Sequence, residues 1–428
     1  MSGLRKRKKR SKKGIDMAKE FELNEVEVWD GNYAASQALR QAQVDVVAAY
    51  PITPSTPIVE NYGAYQANGY VDGEFVMVES EHGAMSGCVG AAAAGGRVAT
   101  ATSSQGFALM AEVLYQASGM RLPIVLTVVN RALASPLNVR GDHSDMYMGR
   151  DSGWIQLDAF NAQEAYDMTL CAFKIGEHLD VRLPVMVHQD GFTTSHKAQN
   201  VYPLQDAVAY KFVGDYVPVD DMLDFSRAVT HGAQTEEDWH FEHKARQHKA
   251  LMDSRTVIDS VLAEFKELTG REYKRVETYM MEDAEVAMVV LGSSVETAVL
   301  AAKELREEGV KAGVVAPRCF RPFPFDLVRD ALDTDSLKAV VCMDKSAPGG
   351  AMGALFNEVS AAAYSTKSRP LMTNYIFGLG GRDFSKEEAK RILLEQKAHA
   401  DAGYVTTDIQ QFSGVRGPKL GFFQTRRG

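Results

Sequence analysis

The sequence predicts an α/β fold of two successive parallel-sheet units, and three observations predict it. From about residue 30 to 200, short β-branched runs alternate with longer helical patterns, and the same alternation resumes near Glu285. Between the two units, residues 205–275 are charged and aromatic with no strand pattern. A chain of 428 residues has room for about two or three domains, each with its own core.

The first unit's strands are expected at Val44–Ala49, Phe75–Val78, Val98–Thr102, Ile124–Val129 and Pro184–His188, with helices over stretches such as Gly106–Ser118 and Gln163–Ile175. Three segments follow strands: Tyr50-Pro51-Ile52-Thr53-Pro54-Ser55-Thr56-Pro57, Glu79–His82 and Asn130-Arg131-Ala132. In a parallel sheet all three open at the carboxyl edge, where ligands bind.

Residues 205–275 read as a helical connector packed over the first unit and broken at Val217-Pro218 and Gly232. Its His240, His243 and His248 have loosely metal-like spacing but no clustered acid or Cys, which favours a solvated helix face. The second unit opens with a strand at Val286–Leu291, then a capping box, Ser293 with Glu296, and a helix to about Glu308. Strands follow near Val310–Ala316, Leu337–Met343 and Leu371–Phe377, and the last helix opens with a second box, Ser385 with Glu388. Gly349-Gly350-Ala351-Met352-Gly353 follows a strand and opens a helix, but it matches neither GxGxxG nor a P-loop, so close packing is favoured over phosphate binding. The division expected is 1–20 as a basic disordered extension, 21–275 as the first domain with its connector, 276–400 as the second domain and 401–428 as a Gly-rich tail draped on a partner.

Hydrophobic residues make up 45% and charged residues 24% of the chain, and no apolar run approaches the roughly 18 residues that span a bilayer. A soluble protein is expected. Eight basic residues, Arg5–Arg10, Lys12 and Lys13, precede the first acid, Asp16; the remainder has 39 basic against 56 acidic residues, a formal net charge of −17. Such a body does not suit nucleic acid, whose binding needs phosphates neutralised. The basic extension lacks a signal peptide's apolar core, and Met17 is an alternative start. Cys88, Cys171, Cys319 and Cys342 are widely spaced with no CxxC, which speaks against a cluster, a structural zinc or a disulfide framework on this chain and fits a reducing cytoplasm.

The chemistry centres on Phe75–Ser104. An apolar strand runs into Glu79-Ser80-Glu81-His82 and a small-residue helix. A carboxylate at that exit is what thiamine diphosphate requires, because an acid on the aminopyrimidine ring nitrogen favours the imino tautomer that accepts the thiazolium proton. Glu81 is the candidate; the plainer alternative is a Glu serving the helix dipole, and strand alternation leaves Glu79 open. Gly83, Gly87 and Gly90 are expected to permit close helix packing. The cofactor's other half, a GDG motif followed by Asn that binds the diphosphate through Mg²⁺, is missing. A heteromeric enzyme accounts for that absence.

Ala49-Tyr50-Pro51-Ile52-Thr53-Pro54-Ser55, Ser80-Glu81-His82-Gly83-Ala84, Asn130-Arg131-Ala132-Leu133, Gly141-Asp142-His143-Ser144-Asp145 and Asp190-Gly191-Phe192 closely resemble the alpha subunit of pyruvate:ferredoxin oxidoreductase. The likeness runs from about Glu27 to Leu394 and includes Arg321-Pro322-Phe323-Pro324 and Gly378-Leu379-Gly380-Gly381-Arg382-Asp383. The resemblance implies a pyrimidine-type thiamine diphosphate domain followed by a transketolase C-terminal-like α/β domain. It implies oxidative decarboxylation of a 2-oxoacid with coenzyme A, electrons passing to ferredoxin or flavodoxin, and pyruvate synthesis in reverse. It further implies a beta subunit sharing the thiamine diphosphate and its Mg²⁺, a delta subunit or fused domain with [4Fe-4S] clusters, and a gamma subunit. By motif, Glu81 faces the aminopyrimidine, beside Pro51 and Ile52; Thr53 donates to the substrate and Arg131 receives its carboxylate, as a guanidinium fork can. His82, His143 and Asp145 are expected at the rim or an interface.

Thr53 and the Asn130–Asp145 segment favour pyruvate. The runners-up are a sister enzyme for 2-oxoglutarate, a branched-chain oxoacid or oxalate; a non-catalytic scaffold; and a self-contained transketolase-like enzyme, which the missing GDG disfavours.

Overall fold

The computed structural model describes Lys19 and residues 21–416; the basic stretch before Met17 and the last twelve residues lie outside them. The first unit runs β1 (Glu27–Trp29), α1 (Gly31–Gln41), β2 (Val46–Ala49), α2 (Thr56–Ala67), β3 (Glu74–Met77), α3 (Glu81–Ala93), β4 (Val98–Thr102), α4 (Ser104–Gly119), β5 (Ile124–Asn130), α5 (Ser144–Met148), β6 (Ile155–Ala159), α6 (Ala162–Glu177), β7 (Val185–Asp190) and β8 (Gln199–Val201). After α7 (Asp206–Val213) and α8 (Glu237–Thr269) the second unit follows: β9 (Val276–Tyr279), β10 (Val286–Val289), α9 (Ser294–Glu307), β11 (Ala312–Pro317), β12 (Cys319–Arg321), α10 (Phe325–Leu332), β13 (Ala339–Asp344), α11 (Ala354–Tyr364), β14 (Leu371–Ile376), α12 (Lys386–Ala402) and β15 (Gln410–Phe412).

The larger sheet has the order β12-β6-β7-β5-β4-β2-β3 and is parallel except for β12. Its central strand β5, Ile-Val-Leu-Thr-Val-Val-Asn, is buried throughout, as a strand covered on both faces must be. The second sheet, β15-β14-β13-β10-β11-β9, is parallel except for β9. The sequence reading missed β6 and β12. Strand β12 leaves the second sheet and pairs antiparallel with β6 of the first.

The connector is α7, an irregular stretch and α8, whose Val257, Ile258, Val261, Leu262 and Phe265 join the first unit's core. His240, His243 and His248 lie exposed on α8. All four cysteines are free and buried, and burial pushes the Cys88 and Cys319 thiols up to about 12. No helix among the described residues is long and apolar enough to cross a membrane.

Three local expectations are corrected. Ser293 does not cap α9: its backbone is helical (φ −60°, ψ −15°) and its hydroxyl donates to Asp190, while Glu296 accepts from Asn161 at 3.0 Å. Ser385 does cap, accepting from Glu388 N at 3.2 Å, although the Glu388 carboxylate turns to Ser413. The segment after Ala400, as far as it is described, is not draped outward, because α12 continues to Ala402 and β15 pairs with β14. In the Gly-rich turn, Asp344 accepts from Leu355 N (2.8 Å) and Phe356 N (3.2 Å), so its carboxylate takes the N-terminal amides of α11 that a phosphate needs. A Cβ on Gly353 would lie 2.0 Å from that carboxylate, which is why a glycine stands there.

Candidate active site

The carboxyl ends of β2, β3, β4, β5 and β7 converge, and each brings a polar group. Strand β3 ends at Met77, and Ser80 caps α3 by accepting from Gly83 N at 3.1 Å. Glu81 is therefore the first helical residue and is 6% exposed, whereas Glu79 faces solvent. This separates the two acids that strand alternation left equivalent. No described residue hydrogen-bonds the Glu81 carboxylate. A buried carboxylate without a partner is costly, and the helix dipole offsets that only in part, so the position suits a donor from a ligand. Ser80 occupies the cap itself, and Glu81 stands in the first turn, where the helix dipole favours an acid as the plainer alternative holds.

Helix α4 closes over Glu81. A Cβ on Gly106 would lie 2.6 Å from Glu81 Oε1 and 2.5 Å from Thr102 Oγ1, so only glycine lets the carboxylate and the strand end meet there. Thr102 Oγ1, Ser103 Oγ and Asn130 Oδ1 are buried at the same edge without hydrogen-bond partners among the described residues. Ser104 begins α4 at φ +47°, a strained region for a serine. Its amide donates to Asp145 (2.9 Å) and its hydroxyl to Ala132 O (2.6 Å). The sequence reading passed over Ser103-Ser104-Gln105-Gly106; a small polar run directly after a strand was the available signal.

Arg131 follows β5 and is buried. Its Nη1 donates to Thr53 O (2.8 Å) and its Nε to Asn138 O (3.1 Å), so half of the fork expected for substrate already ties two loops together. Its Nη2 makes no hydrogen bond among the described residues. Burial lowers the guanidinium pKa and Asp145 opposes the shift. Thr53 is exposed, and its loop is held by Asn32 Nδ2 on Pro54 O (2.8 Å) and by Ser55 Oγ on Ile52 O (2.9 Å). Pro51 is exposed and Ile52 half-buried on the same loop. His82 stands off the site, 3.5 Å from Glu112.

Asp145 lies deeper than a rim residue. Its carboxylate accepts from Ser104 N (2.9 Å), Arg131 N (2.9 Å), Asn130 Nδ2 (2.9 Å) and Met146 N (2.7 Å), joining α4, β5 and α5. Burial raises its pKa to about 6 against the pull of those donors. Gly87 and Gly90 are exposed on α3, and a Cβ on Gly90 would meet nothing within 4 Å. A Cβ on Gly87 would meet Ala48 of β2 at 3.5 Å, an ordinary packing contact, whereas Gly90 borders open space and leaves that part of α3 smooth.

A buried acid opening a small-residue helix at the carboxyl edge of a parallel sheet, with a second α/β unit behind it, suits a thiamine diphosphate-dependent α/β enzyme, whose aminopyrimidine needs such an acid. The family model described as pyruvate flavodoxin/ferredoxin oxidoreductase, thiamine diphosphate-binding, matches residues 37–263, and that of pyruvate:ferredoxin oxidoreductase core domain II matches 284–389. The chain belongs to this oxidoreductase family. It is 47% identical to pyruvate synthase subunit PorA of Thermotoga maritima, over 90% of this chain and 97% of that one. It is 41% identical to ketoisovalerate oxidoreductase subunit VorA of Pyrococcus horikoshii, over 90% and 97%. Among solved structures, the 2-oxoglutarate:ferredoxin oxidoreductase of Magnetococcus marinus superposes with a TM-score of 0.68 at 20% identity, covering 87% of this chain and 65% of that one. An inactive split-gene transketolase tetramer does so at 0.51 and 11% identity, covering 87% of this chain and 99% of that one. These two likenesses show the fold.

Proposed function

We propose that this chain is the alpha-type subunit of a heteromeric pyruvate:ferredoxin oxidoreductase, or pyruvate synthase, in which pyruvate and coenzyme A give acetyl-CoA and carbon dioxide and electrons leave to ferredoxin or flavodoxin. The observation that carries it is Glu81, buried and without a hydrogen-bond partner among the described residues at the head of α3, on the sheet edge that also bears Thr53 and Arg131. The residues present fit thiamine diphosphate: an acid for the ring nitrogen and unpaired polar atoms on Thr102, Ser103 and Asn130 beside it. When bound, thiamine diphosphate supplies the carbon nucleophile and electron sink for decarboxylation.

This chain's residues do the rest of the positioning. Glu81 would hold the pyrimidine ring nitrogen, and the loop carrying Pro51 and Ile52 would lie beside the cofactor. Arg131 offers Nη2 to the substrate carboxylate, and the Thr53 hydroxyl donates to the substrate at the same loop. The smooth outer face of α3, with the exposed Val76 and Met77 of β3, takes the beta subunit that brings the diphosphate half and Mg²⁺. Gamma and delta subunits, the latter with [4Fe-4S] clusters, complete a cytoplasmic complex.

The 41% identical ketoisovalerate subunit favours a second reading with a branched-chain oxoacid. The test is anaerobic purification with the native partners and viologen reduction with pyruvate, ketoisovalerate or 2-oxoglutarate, each with and without coenzyme A. Pyruvate should win and require coenzyme A; preference for another oxoacid replaces the substrate. Glu81→Gln should lower turnover by about 10²-fold or more in an intact complex; normal turnover would remove Glu81 from the mechanism.

A further inference from the structure

Behind the substrate edge lies a group of buried charges that this reading does not use. Asp190 ends β7 and is 1% exposed. Its carboxylate accepts from Lys345 Nζ (3.0 Å), His143 Nε2 (2.7 Å), Ser293 N (3.0 Å) and the Ser293 hydroxyl. His143 and Asp190 belong to the first unit, Lys345 and Ser293 to the carboxyl ends of β13 and β10 in the second. Removing such groups from water is costly, and only good mutual geometry offsets it. Burial opposes ionisation of Asp190, but Lys345 and His143 together hold its pKa well below the ordinary carboxylate value.

Lys345, through its backbone carbonyl, and the Gly380-Gly381 turn of the second unit grip the segment that follows Arg131. Lys345 O accepts from His143 N (2.7 Å), Gly141 O from Gly381 N (2.7 Å), and Gly380 O from Asn138 Nδ2 (3.1 Å). That segment folds back on itself, with Ala132 N on Arg140 O (3.1 Å), and its Asn138 carbonyl holds Arg131 Nε. It ends at Asp145, which holds the Arg131 amide. The second unit thus reaches Arg131 indirectly, through the segment whose Asn138 carbonyl holds its Nε, while Thr53 O and Asp145 hold it from the first unit.

We propose that Lys345 is a positioning residue for Arg131: acting on Asp190 and His143, it sets the place of the 131–143 segment and so how the 2-oxoacid carboxylate is received. The proposal rests on the assignment of Arg131 to the substrate carboxylate. A residue that merely cemented the two units would reduce the amount of competent complex and leave the KM for each substrate alone.

The experiment uses the assembled complex, anaerobically, with Lys345→Met, Ser293→Ala, Arg131→Lys and the Lys345→Met/Arg131→Lys double variant, recording kcat and KM for pyruvate and for coenzyme A. Lys345→Met should raise the pyruvate KM about tenfold with the coenzyme A KM unchanged, and the double variant should be no worse than Arg131→Lys alone. Ser293→Ala, a smaller change on the same carboxylate, should shift the same KM about threefold and decides the matter if Lys345→Met does not assemble. An unchanged pyruvate KM in Lys345→Met and Ser293→Ala, or multiplying effects in the double variant, overturns the proposal while leaving Arg131 in place. An unchanged pyruvate KM in Arg131→Lys overturns the assignment itself and the proposal with it.

Discussion

Asp158, in the interior of β6, shows how a single buried acid sets a pH dependence. Its Oδ2 accepts from Gly292 N at 2.6 Å and its Oδ1 has no partner among the described residues. Burial, with neighbouring Asp190, raises its pKa from the ordinary 3.8 to about 7, against the opposing pull of His143 and the Gly292 amide. Between those two values the folded protein keeps a proton that the unfolded chain releases, so stability present at low pH is lost as pH rises through about 7. Asp158→Asn keeps an acceptor for Gly292 and removes the charge. The variant's advantage in unfolding free energy, measured by denaturant unfolding at each pH, should grow from pH 5 to about pH 7 and stay level above, reaching about 1–3 kcal/mol. A difference that does not change with pH would show that Asp158 does not titrate in the folded protein.

Among the elements, α4 does for Glu81 what no single contact does. Gly106→Ala places a methyl group against the carboxylate and Thr102, and overpacking of this kind costs about 1–3 kcal/mol. Because a side-chain end can yield where backbone cannot, the fold should survive and Glu81 should be displaced. We expect turnover to fall about tenfold or more, with thiamine diphosphate needed at higher concentration; wild-type kinetics would show that α4 does not constrain the acid. The placement of Glu81, Thr53 and Arg131 at one sheet edge was legible because each lies within four residues of the end of a short strand, β3, β2 and β5; the roles given to Thr53 and Arg131 rest on motif resemblance. The β6 strand was not legible: Gln156 and Asp158 interrupt its apolar pattern, and Asp158 is tolerated only because an amide 134 residues away bonds it. Nor was β12, three residues whose pairing partner lies in the other unit. Ser293 looked like a cap for the same reason, since the acid that claims its hydroxyl is distant in sequence.

At the scale of the whole molecule the two sheet units share their cores. Cys319 packs in the first unit's core, while Met146 and Tyr147 pack in one second-unit cluster and Phe160 in another. Arg318 stands at the crossing from β11 to β12 and is 1% exposed. Its guanidinium bonds Glu164 of α6 and, at 3.3 Å, Glu277 of β9, and lies over the rings of Phe160 (4.2 Å) and Tyr273 (4.9 Å). Its carbonyl accepts from Asp158 N at 2.7 Å. Arg318→Met keeps the apolar stem but leaves Glu164 buried without its cation, a loss of about 3–5 kcal/mol; Arg318→Lys, which keeps the charge and loses the fork, should fall between. Because the residue joins both sheets, calorimetry of the variant should show one endotherm moved to lower temperature as a unit. Two endotherms with only one displaced would mean that the units unfold independently, and the second unit could not then hold the Arg131 segment from behind.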